Sequence, residues 1–378
     1  MLMTGARRAV KVPFLDLGPV HEPLKAAILA DIAELIDTSA FTNGPALRRF
    51  ETAFARSCGT RECVGVASGL DALRLGLLAA GIEPGDEVIL PAHTFVATFE
   101  AVTQAGGVPI PVDVGEDDYN LDVSAVEAAV GPATRFVLPV HLYGQLADMR
   151  RLQEVAAAYG LTVVEDACQA HGAERDGVRA GTAGRAAAFS FYPGKNLGAM
   201  GDAGALVTDD DHLAGVVRAL REHGQRAKHV HDLEGYTSRL DTIQAIVLAR
   251  KLPRLEAWNA DRRRIAAVYG DGLRGVGDLA LPPVPEGSDP AWHLYVVRTA
   301  DPEALGRFLR TRGIATGRHY PQPPHLSPAW AWLGLGRGAF PVTEALAAEL
   351  LSLPVYPGMA PAQVQAVVHH VREYFGDA

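Results

Sequence analysis

The chain has 378 residues, of which 48% are hydrophobic and 21% are charged, and this composition predicts a soluble globular protein with room for two domains. A formal net charge of −9 argues against a nucleic-acid surface or an anionic membrane as the main partner. Three cysteines without a CxxC pair argue against a disulfide framework and a structural zinc site. Residues 1–14 contain no apolar signal segment and the chain has no uncharged apolar stretch of about 18 residues, so we expect a cytoplasmic protein.

Short apolar runs alternate with helical patterns through the first two thirds of the chain. We predict, in order, an extended arm at 12–17, helices at 21–37 and 46–57, a strand at 63–66, a helix at 70–80, a strand at 86–90, a helix at 96–104, a strand at 108–112, a helix at 123–130, a strand at 136–140, a helix at 149–159 and strands at 161–164, 186–189 and 206–207. This alternation is typical of a parallel sheet with helices on both faces, in which functional residues lie at the carboxyl ends of the strands. Here those ends carry His93, His141, Asp166, Gln169 and Ser190.

The remaining third predicts a smaller α/β unit behind a connecting helix. We expect a helix at 213–223, a polar loop at 229–236, a long helix at 240–270 bent near Pro253, a strand at 292–298, a helix at 302–312, an extended segment at 314–319, a rigid proline-rich loop at 320–325 and helices at 342–351 and 361–375. We therefore divide the chain into a large α/β domain over 1–250, which includes the N-terminal arm, and a small C-terminal α/β domain over 251–378.

Lys195, one of only five lysines in the chain, follows a predicted buried strand and a tight turn in a glycine-rich segment. A lysine at such a place is partly desolvated, which lowers its pKa and frees its amine for Schiff-base chemistry. A phosphate-binding P-loop is rejected, because Phe189 and Asn196 occupy positions where that motif requires glycine and serine or threonine. Taken alone, a lysine on a glycine-rich loop is usually a surface residue without a catalytic role.

The groups that pyridoxal phosphate (PLP) requires occur together at successive strand ends. PLP needs a lysine for covalent attachment, a carboxylate facing its ring nitrogen, a phosphate cup and an aromatic group on its ring. The chain offers Lys195, Asp166, the helix start at Gly69-Leu70-Asp71 with Ser190, and Phe95. Asp166 alone could be a helix cap and Phe95 alone could be core packing, but their joint occurrence favours a PLP site.

Four segments form a combination that points to one family. They are Ser-Phe-Tyr-Pro-Gly-Lys-Asn-Leu-Gly at 190–198 with Gly-Asp-Ala-Gly at 201–204, Glu-Asp-Ala-Cys-Gln-Ala-His-Gly at 165–172, Gly-Tyr-Thr-Ser-Arg-Leu at 235–240 and Pro-Phe-Leu-Asp-Leu at 13–17. Together they resemble the DegT/StrS family of PLP-dependent sugar aminotransferases, over nearly the whole chain from Val12 to Tyr356. The resemblance implies the aspartate-aminotransferase-like fold (fold type I), with a mostly parallel central sheet.

The resemblance also implies roles for the cofactor-binding residues. Lys195 and Asp166 would be catalytic: Lys195 would hold PLP as a Schiff base and Asp166 would pair with the pyridine nitrogen. Gln169 would pair with the ring hydroxyl, Phe95 would stack on the ring, and Ser190 would hold the phosphate with the backbone of Gly69, Leu70 and Asp71. The family sends a residue of segment 235–240 across a dimer interface to that phosphate, which implies a homodimer. Thr237 stands where the family usually has asparagine, and Leu70 where it often has threonine.

A finer likeness is carried by segments 139–144, 292–295 and 319–328. They resemble enzymes of antibiotic sugar pathways that transfer an amino group from L-glutamate to C3 of a dTDP-3-keto-6-deoxyhexose. This implies substrate contacts at Tyr192, His319, Tyr320 and His325, although each residue of the 319–325 loop could equally be a rigid surface position. The same chemistry on a 4-keto sugar or a cyclitol ketone, and a non-catalytic PLP-binding regulatory protein, remain as alternatives. A PLP-dependent sugar dehydratase is disfavoured, since a histidine replaces the Schiff-base lysine in those enzymes.

Overall fold

The structure, a computed structural model, describes residues 10–377. Its helices are α1 Gly18–His21, α2 Lys25–Thr38, α3 Pro45–Cys58, α4 Gly69–Ala80, α5 Val96–Gln104, α6 Val123–Ala129, α7 Met149–Tyr159, α8 Asp211–Leu220, α9 Thr242–Lys251, α10 Leu255–Leu273, α11 Pro302–Thr311, α12 Pro341–Glu349 and α13 Pro361–Tyr374. Its strands are β1 Glu62–Val66, β2 Glu87–Pro91, β3 Val108–Val112, β4 Thr134–Val137, β5 Thr162–Asp166, β6 Glu174–Arg175, β7 Val178–Arg179, β8 Ala186–Ser190, β9 Gly204–Thr208, β10 Gln225–Ala227, β11 Val230–His231, β12 Ser288–Asp289, β13 Tyr295–Arg298 and β14 Leu350–Leu353.

Seven strands form the central sheet in the order β1-β9-β8-β5-β4-β2-β3. β9 pairs antiparallel with β1 and with β8, whereas the other neighbours pair parallel. The carboxyl ends of the parallel strands therefore meet at one edge, where β9 begins. In register, Ser190 and Val66 both lie opposite Gly204. The mostly parallel sheet that the sequence predicts is confirmed.

Both faces of this sheet are buried because alternate residues of each strand enter opposite apolar cores. Val163 belongs to the core on one face and Val164 to the core on the other, and Ile89 and Leu90 are divided in the same way. Strands that are apolar at every position are characteristic of a sheet covered on both sides. This explains why the strands were recognisable as continuous apolar runs.

A third core lies in the C-terminal part of the chain. It is formed by α10, α11 and α13 around the antiparallel pair β13–β14. Val12 of the N-terminal arm pairs with Ile314 and packs into this third core. The division at residue 250 stays a prediction, and its residues 1–9 and 378 lie outside the described part of the chain.

Two local predictions need revision. The predicted helix at 342–351 ends at Glu349, because Leu350–Leu353 forms β14 against β13. The apolar pattern of this helix continues into the strand, so tertiary pairing decides the boundary. Part of the predicted polar loop at 229–236 pairs in a short hairpin, β10–β11. The bend near Pro253 is confirmed as a 3₁₀ turn, Leu252–Arg254, between α9 and α10.

Within residues 10–377, no helix combines the length and the apolar character that crossing a membrane requires. The cytoplasmic location stays a prediction.

Candidate active site

A cavity of about 500 Å³ lies at the edge where the parallel strands end. Most of the site residues predicted from the sequence line it: Gly69, Leu70, Phe95, Asp166, Gln169, Ser190, Tyr192, Lys195, His319 and Tyr320. They come from β5, β8, the starts of α4 and α5, and the segment that precedes α12. The fold thus assembles residues that are up to 251 positions apart in the chain, from Gly69 to Tyr320.

Lys195 reaches the cavity from a tight turn that follows β8. The turn is closed by a hydrogen bond from the Lys195 amide to the carbonyl of Tyr192, at 2.8 Å. Burial lowers the pKa of Lys195 below its ordinary value, and the nearby Cys168 and Asp166 oppose this shift. The amine is therefore deprotonated at a lower pH than that of a solvent-exposed lysine, as nucleophilic attack requires.

Asp166, the last residue of β5, is buried and held at both carboxylate oxygens. The Thr98 hydroxyl, on α5, donates to Oδ2 at 2.9 Å, and the Cys168 amide donates to Oδ1 at 3.2 Å. Thr98 in turn lies 2.8 Å from the hydroxyl of Thr94. These contacts fix the plane of the carboxylate and leave it able to accept one further proton donor from the cavity.

The start of α4 offers an anion-binding surface next to Ser190. Ser68 caps this helix by accepting from the amide of Asp71, at 3.1 Å. The amides of Gly69 and Leu70 come before the first amide that donates within the helix, that of Ala72, and neither has a partner among the described residues. The expectation that the Asp71 backbone also holds the phosphate is therefore not supported by the geometry, because Ser68 occupies its amide.

Gly69 is required at this position by close packing rather than by its dihedral angles. A Cβ there would lie 2.7 Å from both Cys168 Sγ and Ser190 Cβ. Such distances are shorter than van der Waals contact, so only glycine lets α4 approach the end of β8 this closely. The approach brings the two free amides and the Ser190 hydroxyl to one corner of the cavity.

The opposite wall of the cavity is aromatic. The rings of Phe95 and Tyr320 face each other with centroids 5.4 Å apart. Gln169 lies beside them: its Oε1 accepts from the Tyr143 amide at 2.8 Å, and its Nε2 is 3.2 Å from the Tyr320 hydroxyl. Phe95 is 48% exposed, so one side of its ring is open to a ligand.

Two histidines lie on the side of the cavity that faces the C-terminal part of the chain. His319 is 2.8 Å from Ser352 Oγ and stacks on Phe14 at 5.6 Å. Burial, and then the positive charge of Lys195, lower the pKa of His319 to about 4. Burial likewise lowers the pKa of His293 well below its ordinary value, with Lys195 and Arg262 adding to the shift. Both imidazoles are neutral at pH 7.

Besides Asp71, two predicted site residues do not line this cavity, His325 and Thr237. His325 is 1% exposed, packs edge-on against Phe340 and lies 3.3 Å from Glu344, so it is a core residue and not a pocket-lining one. Thr237 is exposed, and its hydroxyl lies 3.0 Å from His223. Its contact with a phosphate held by a partner subunit stays a prediction. Tyr192, 59% exposed, lies at the rim.

Two histidines at strand ends do not line the cavity and form buried hydrogen bonds within the fold. His93 is buried 2.7 Å from the Tyr143 hydroxyl, which bonds the carbonyl of His319. His141 is buried 2.9 Å from Glu165. Glu165 also accepts from the amides of residues 181, 183 and 184. A polar residue that follows a buried strand can therefore either stabilise the fold through buried hydrogen bonds or belong to the site.

The sequence profile of the DegT/DnrJ/EryC1/StrS aminotransferase family matches residues 23–372. The chain belongs to this family. It is 47% identical over 372 residues to a Streptomyces venezuelae protein named dTDP-3-amino-3,4,6-trideoxy-alpha-D-glucose transaminase, with 98% of each chain covered. The crystal structure of S. venezuelae DesV matches with a TM-score of 0.94 at 48% identity, over 97% of this chain and 98% of that chain. NtdA from Bacillus subtilis, solved with its cofactor PMP bound, matches with a TM-score of 0.90 at 33% identity, over 98% of this chain and 86% of that one.

The DegT/StrS membership, the fold type I architecture and the PLP-dependent aminotransferase activity predicted from the sequence are thereby confirmed. The cavity fits the cofactor. The free amides of Gly69 and Leu70 and the Ser190 hydroxyl suit a phosphate, and Lys195 suits a Schiff base. Asp166 suits the ring nitrogen, and the open face of Phe95 suits the ring.

Three residues of the site had not been identified from the sequence: Arg262 and His293, which line the cavity, and Thr98, which is buried and donates to Asp166. Thr98 had no local signal, since its partner is 68 positions away. Arg262 was hidden in the pattern of a long helix with three consecutive arginines. His293 lies in a segment that carried the family resemblance, and that segment was the available signal.

Proposed function

We propose that this aminotransferase moves an amino group from L-glutamate to C3 of a dTDP-3-keto-6-deoxyhexose, giving a dTDP-3-amino-3,6-dideoxyhexose and 2-oxoglutarate. The observation that carries the proposal is the 47% identity, over 98% of both chains, to a relative named as a dTDP-3-amino-sugar transaminase. The cavity supports it, because Lys195 shares the cavity with neutral His319 and with Tyr320, which offer hydrogen-bonding groups suited to a sugar.

The chain's own residues divide the work of the reaction. When bound, the cofactor supplies an electron sink for the carbon that loses a proton. Asp166, fixed by two donors, would hold a proton on the ring nitrogen. Lys195 Nζ, once released, takes the proton from Cα of the amino donor and, in the second half of the reaction, supplies one to C3 of the sugar.

The walls of the cavity orient the reacting groups. The amides of Gly69 and Leu70, with Ser190, would hold the phosphate at one corner, and Phe95 would hold the ring from one side. His319, His293 and Tyr320 face the space left for the sugar and are uncharged at pH 7, so they bind hydroxyl groups without attracting water as a charge would. Tyr192 at the rim is suited to contact the sugar as it enters.

We also propose that the enzyme is a homodimer with shared active sites. Leu29 and Ile36, 57% and 60% exposed, lie on one face of α2, which packs against α9 through Ile28 and Val247. Exposed apolar side chains spaced seven residues apart on a helix suit a contact with a second copy of the chain. In such a dimer, Thr237 of one chain would reach the phosphate held by the other.

The test is spectroscopic and uses purified holoenzyme. We expect a visible absorbance band that L-glutamate bleaches, that the keto sugar restores, and that borohydride fixes as a covalent adduct on Lys195. Lys195→Ala should lose the band and the turnover, whereas Lys228→Ala, on the exposed β10–β11 hairpin, should keep both. Turnover by Lys195→Ala would contradict the mechanism. A bound cofactor that glutamate never bleaches would favour a regulatory PLP-binding protein instead.

A further inference from the structure

Lys251, the last residue of α9, is a buried ammonium group without an acidic partner. It is 2% exposed, and no carboxylate lies within 4.0 Å of its Nζ among residues 10–377. The preceding residue differs, since Arg250 pairs on the surface with Asp31. Burial lowers the pKa of Lys251 to about 8, so the group is mostly protonated at pH 7. A buried charge without a counter-charge is costly, so the other contacts of the group must stabilise it.

Three separate segments of the chain supply those contacts. Nζ of Lys251 donates to the carbonyl of Gly198, in the loop that follows β8. Nζ also lies 3.1 Å from Nε2 of His21, at the end of α1. The third contact is with the ring of Trp258 on α10, whose centroid is 5.8 Å from Nζ. Burial, and then the charge of Lys251, lower the pKa of His21, so this imidazole is neutral at pH 7 and accepts the hydrogen bond.

Gly198 belongs to the same closed loop as Lys195. The loop is closed by a hydrogen bond from the Ala199 amide to the Phe191 carbonyl, at 2.7 Å, and the turn that carries Lys195 lies inside it. A Cβ at position 198 would overlap the carbonyl oxygen of Pro193, so the two halves of the loop pack backbone against backbone. A displacement of Gly198 is therefore transmitted to Pro193 and to the turn of Lys195.

His21 connects Lys251 to a second wall of the active-site cavity. The helix α1 directly continues the N-terminal arm, and Leu15 of that arm lines the cavity together with Lys195. The arm also packs close to the loop, because a Cβ at Gly194 would lie 3.4 Å from Leu15 Cδ2. The ammonium group of Lys251 thus bonds both to the arm's own helix and to the loop of the catalytic lysine.

We propose that Lys251 is a positioning residue for Lys195, because its ammonium group holds the loop of the catalytic lysine against the N-terminal arm. Among the described residues, Lys251 is not one that lines the cavity, so it acts through Gly198 and His21. Lys195 removes a proton from one substrate carbon and delivers one to another. Such a transfer slows steeply when the base is displaced by even about 1 Å.

The kinetic test replaces Lys251 by methionine, which has a similar length and neither the charge nor the donor. We expect the limiting rate of each half-reaction to fall about tenfold or more, with the KM for glutamate changing less than about threefold. Because the slowed step is the proton transfer, the isotope effect with glutamate deuterated at Cα should be at least as large as in the wild type. A smaller isotope effect would show that another step had slowed and would overturn the proposal.

Two control variants separate positioning from stability. Val371 is fully buried in the third core, so Val371→Ala destabilises the chain without contacting the loop. Lys228→Met removes an exposed lysine from the β10–β11 hairpin. Both should keep the wild-type limiting rates and isotope effect. If Lys251→Met lowers only the melting temperature, as Val371→Ala does, Lys251 has a purely structural role and the proposal is wrong.

Hydrogen exchange of the apoenzyme provides a readout that needs neither glutamate nor the cofactor. We expect peptides over 190–200 to exchange at least about tenfold faster in Lys251→Met, and peptides over 361–374 to exchange as in the wild type. His21→Leu removes the acceptor and leaves Lys251 in place, so it should accelerate exchange over 190–200 by a smaller factor. It also decides the question if Lys251→Met does not fold.

The two arms of the test fail in different ways. Unchanged exchange over 190–200 in either folded variant would overturn the proposal. The kinetic arm uses glutamate and therefore rests on the proposed function, whereas the exchange arm does not. Failure of the wild-type holoenzyme to react with glutamate would refute the proposed function and leave the exchange result to judge Lys251.

Discussion

The hydroxyl of Thr98 donates its single proton to Oδ2 of Asp166, across 2.9 Å in a fully buried environment. Because that proton is committed, the neighbouring Thr94 hydroxyl, 2.8 Å from Thr98, must be the donor in the contact between the two threonines. The order of donors therefore runs from Thr94 through Thr98 to Asp166. This chain of donors fixes the orientation of the carboxylate that would face the cofactor's ring nitrogen.

Thr98→Val should weaken the role of Asp166 without unfolding the chain. Valine has the shape of threonine and lacks the donor, so Oδ2 loses a charge-assisted hydrogen bond. We expect about a tenfold loss in kcat, a higher PLP dissociation constant and a changed pH dependence of the cofactor's visible absorbance. These are measured by turnover, by equilibrium dialysis of PLP and by a spectral titration.

The same helix provides the controls for this substitution. Thr98→Ser keeps the hydroxyl and should restore the wild-type spectral titration. Thr103→Val removes a hydroxyl that bonds only the carbonyls of Phe99 and Glu100 in its own helix, and should leave the spectrum and kcat unchanged. If the visible absorbance of the Thr98→Val holoenzyme has the same pH dependence as that of the wild type, the Thr98 side chain contributes only packing.

Gly69→Ala should impair cofactor binding by moving the start of α4. The added Cβ would lie 2.7 Å from both Cys168 Sγ and Ser190 Cβ, so the helix start must shift away from β8. The two free amides would move with it, and we expect the PLP dissociation constant to rise about tenfold or more. Gly215→Ala on α8, where nothing lies within 4 Å, should bind PLP normally and stabilise the helix by up to about 1 kcal/mol. Normal PLP affinity in Gly69→Ala would refute the proposed phosphate corner.

Glu165 should make the fold sensitive to acid. Burial alone would raise its pKa, but His141 and the amides of Gly181 and Gly184 hold it below the ordinary 4.5. Because the folded pKa is lower than the unfolded one, the stabilisation is complete above pH 4.5 and is lost as the pH falls through the folded pKa.

Urea unfolding of the apoenzyme measures this effect. Glu165→Gln should lower the unfolding free energy at pH 7 by about 3 kcal/mol, and its stability should depend less on pH below 4.5. Glu174→Gln breaks only a surface pair with Arg179, at 3.8 Å, and should cost less than about 1 kcal/mol. If the unfolding free energy of Glu165→Gln fell with pH below 4.5 as steeply as that of the wild type, this assignment would be contradicted.

Mixed dimers test whether the active site is shared between subunits. In a hybrid of Lys195→Ala and Thr237→Ala chains, one site would combine Lys195 of one chain with Thr237 of the other and would be intact. At limiting PLP we expect the hybrid, separated from both parent dimers after exchange of subunits, to have about half of the wild-type activity. Absence of recovery, with hybrids shown to form, would refute the cross-subunit contact of Thr237.

The site residues that could be predicted from the sequence are those with a recognisable local pattern around them. Lys195 and Asp166 follow apolar strands, and parallel strands bring such ends to one edge, so the pattern alone predicts that they converge. Thr98 and Arg262 carry no such signal. Both residues become part of the site only through contacts that form after the chain has folded.

Two errors have the same physical origin. His325 lies in a proline-rich loop that suggested a substrate contact, but the loop turns the imidazole inward, toward Phe340 and Glu344. Leu350–Leu353 continues the apolar pattern of α12, yet pairing with β13 makes it a strand. In both places long-range packing overrides what the local sequence suggests.

The most direct test of the central claim is product analysis with wild-type holoenzyme, L-glutamate and a panel of dTDP-3-keto and dTDP-4-keto sugars. We expect 2-oxoglutarate and a dTDP sugar that carries its new amine at C3, identified by mass spectrometry and NMR. Amination only at C4, amination of a cyclitol ketone in preference to the sugars, or no amination of any of them would contradict it.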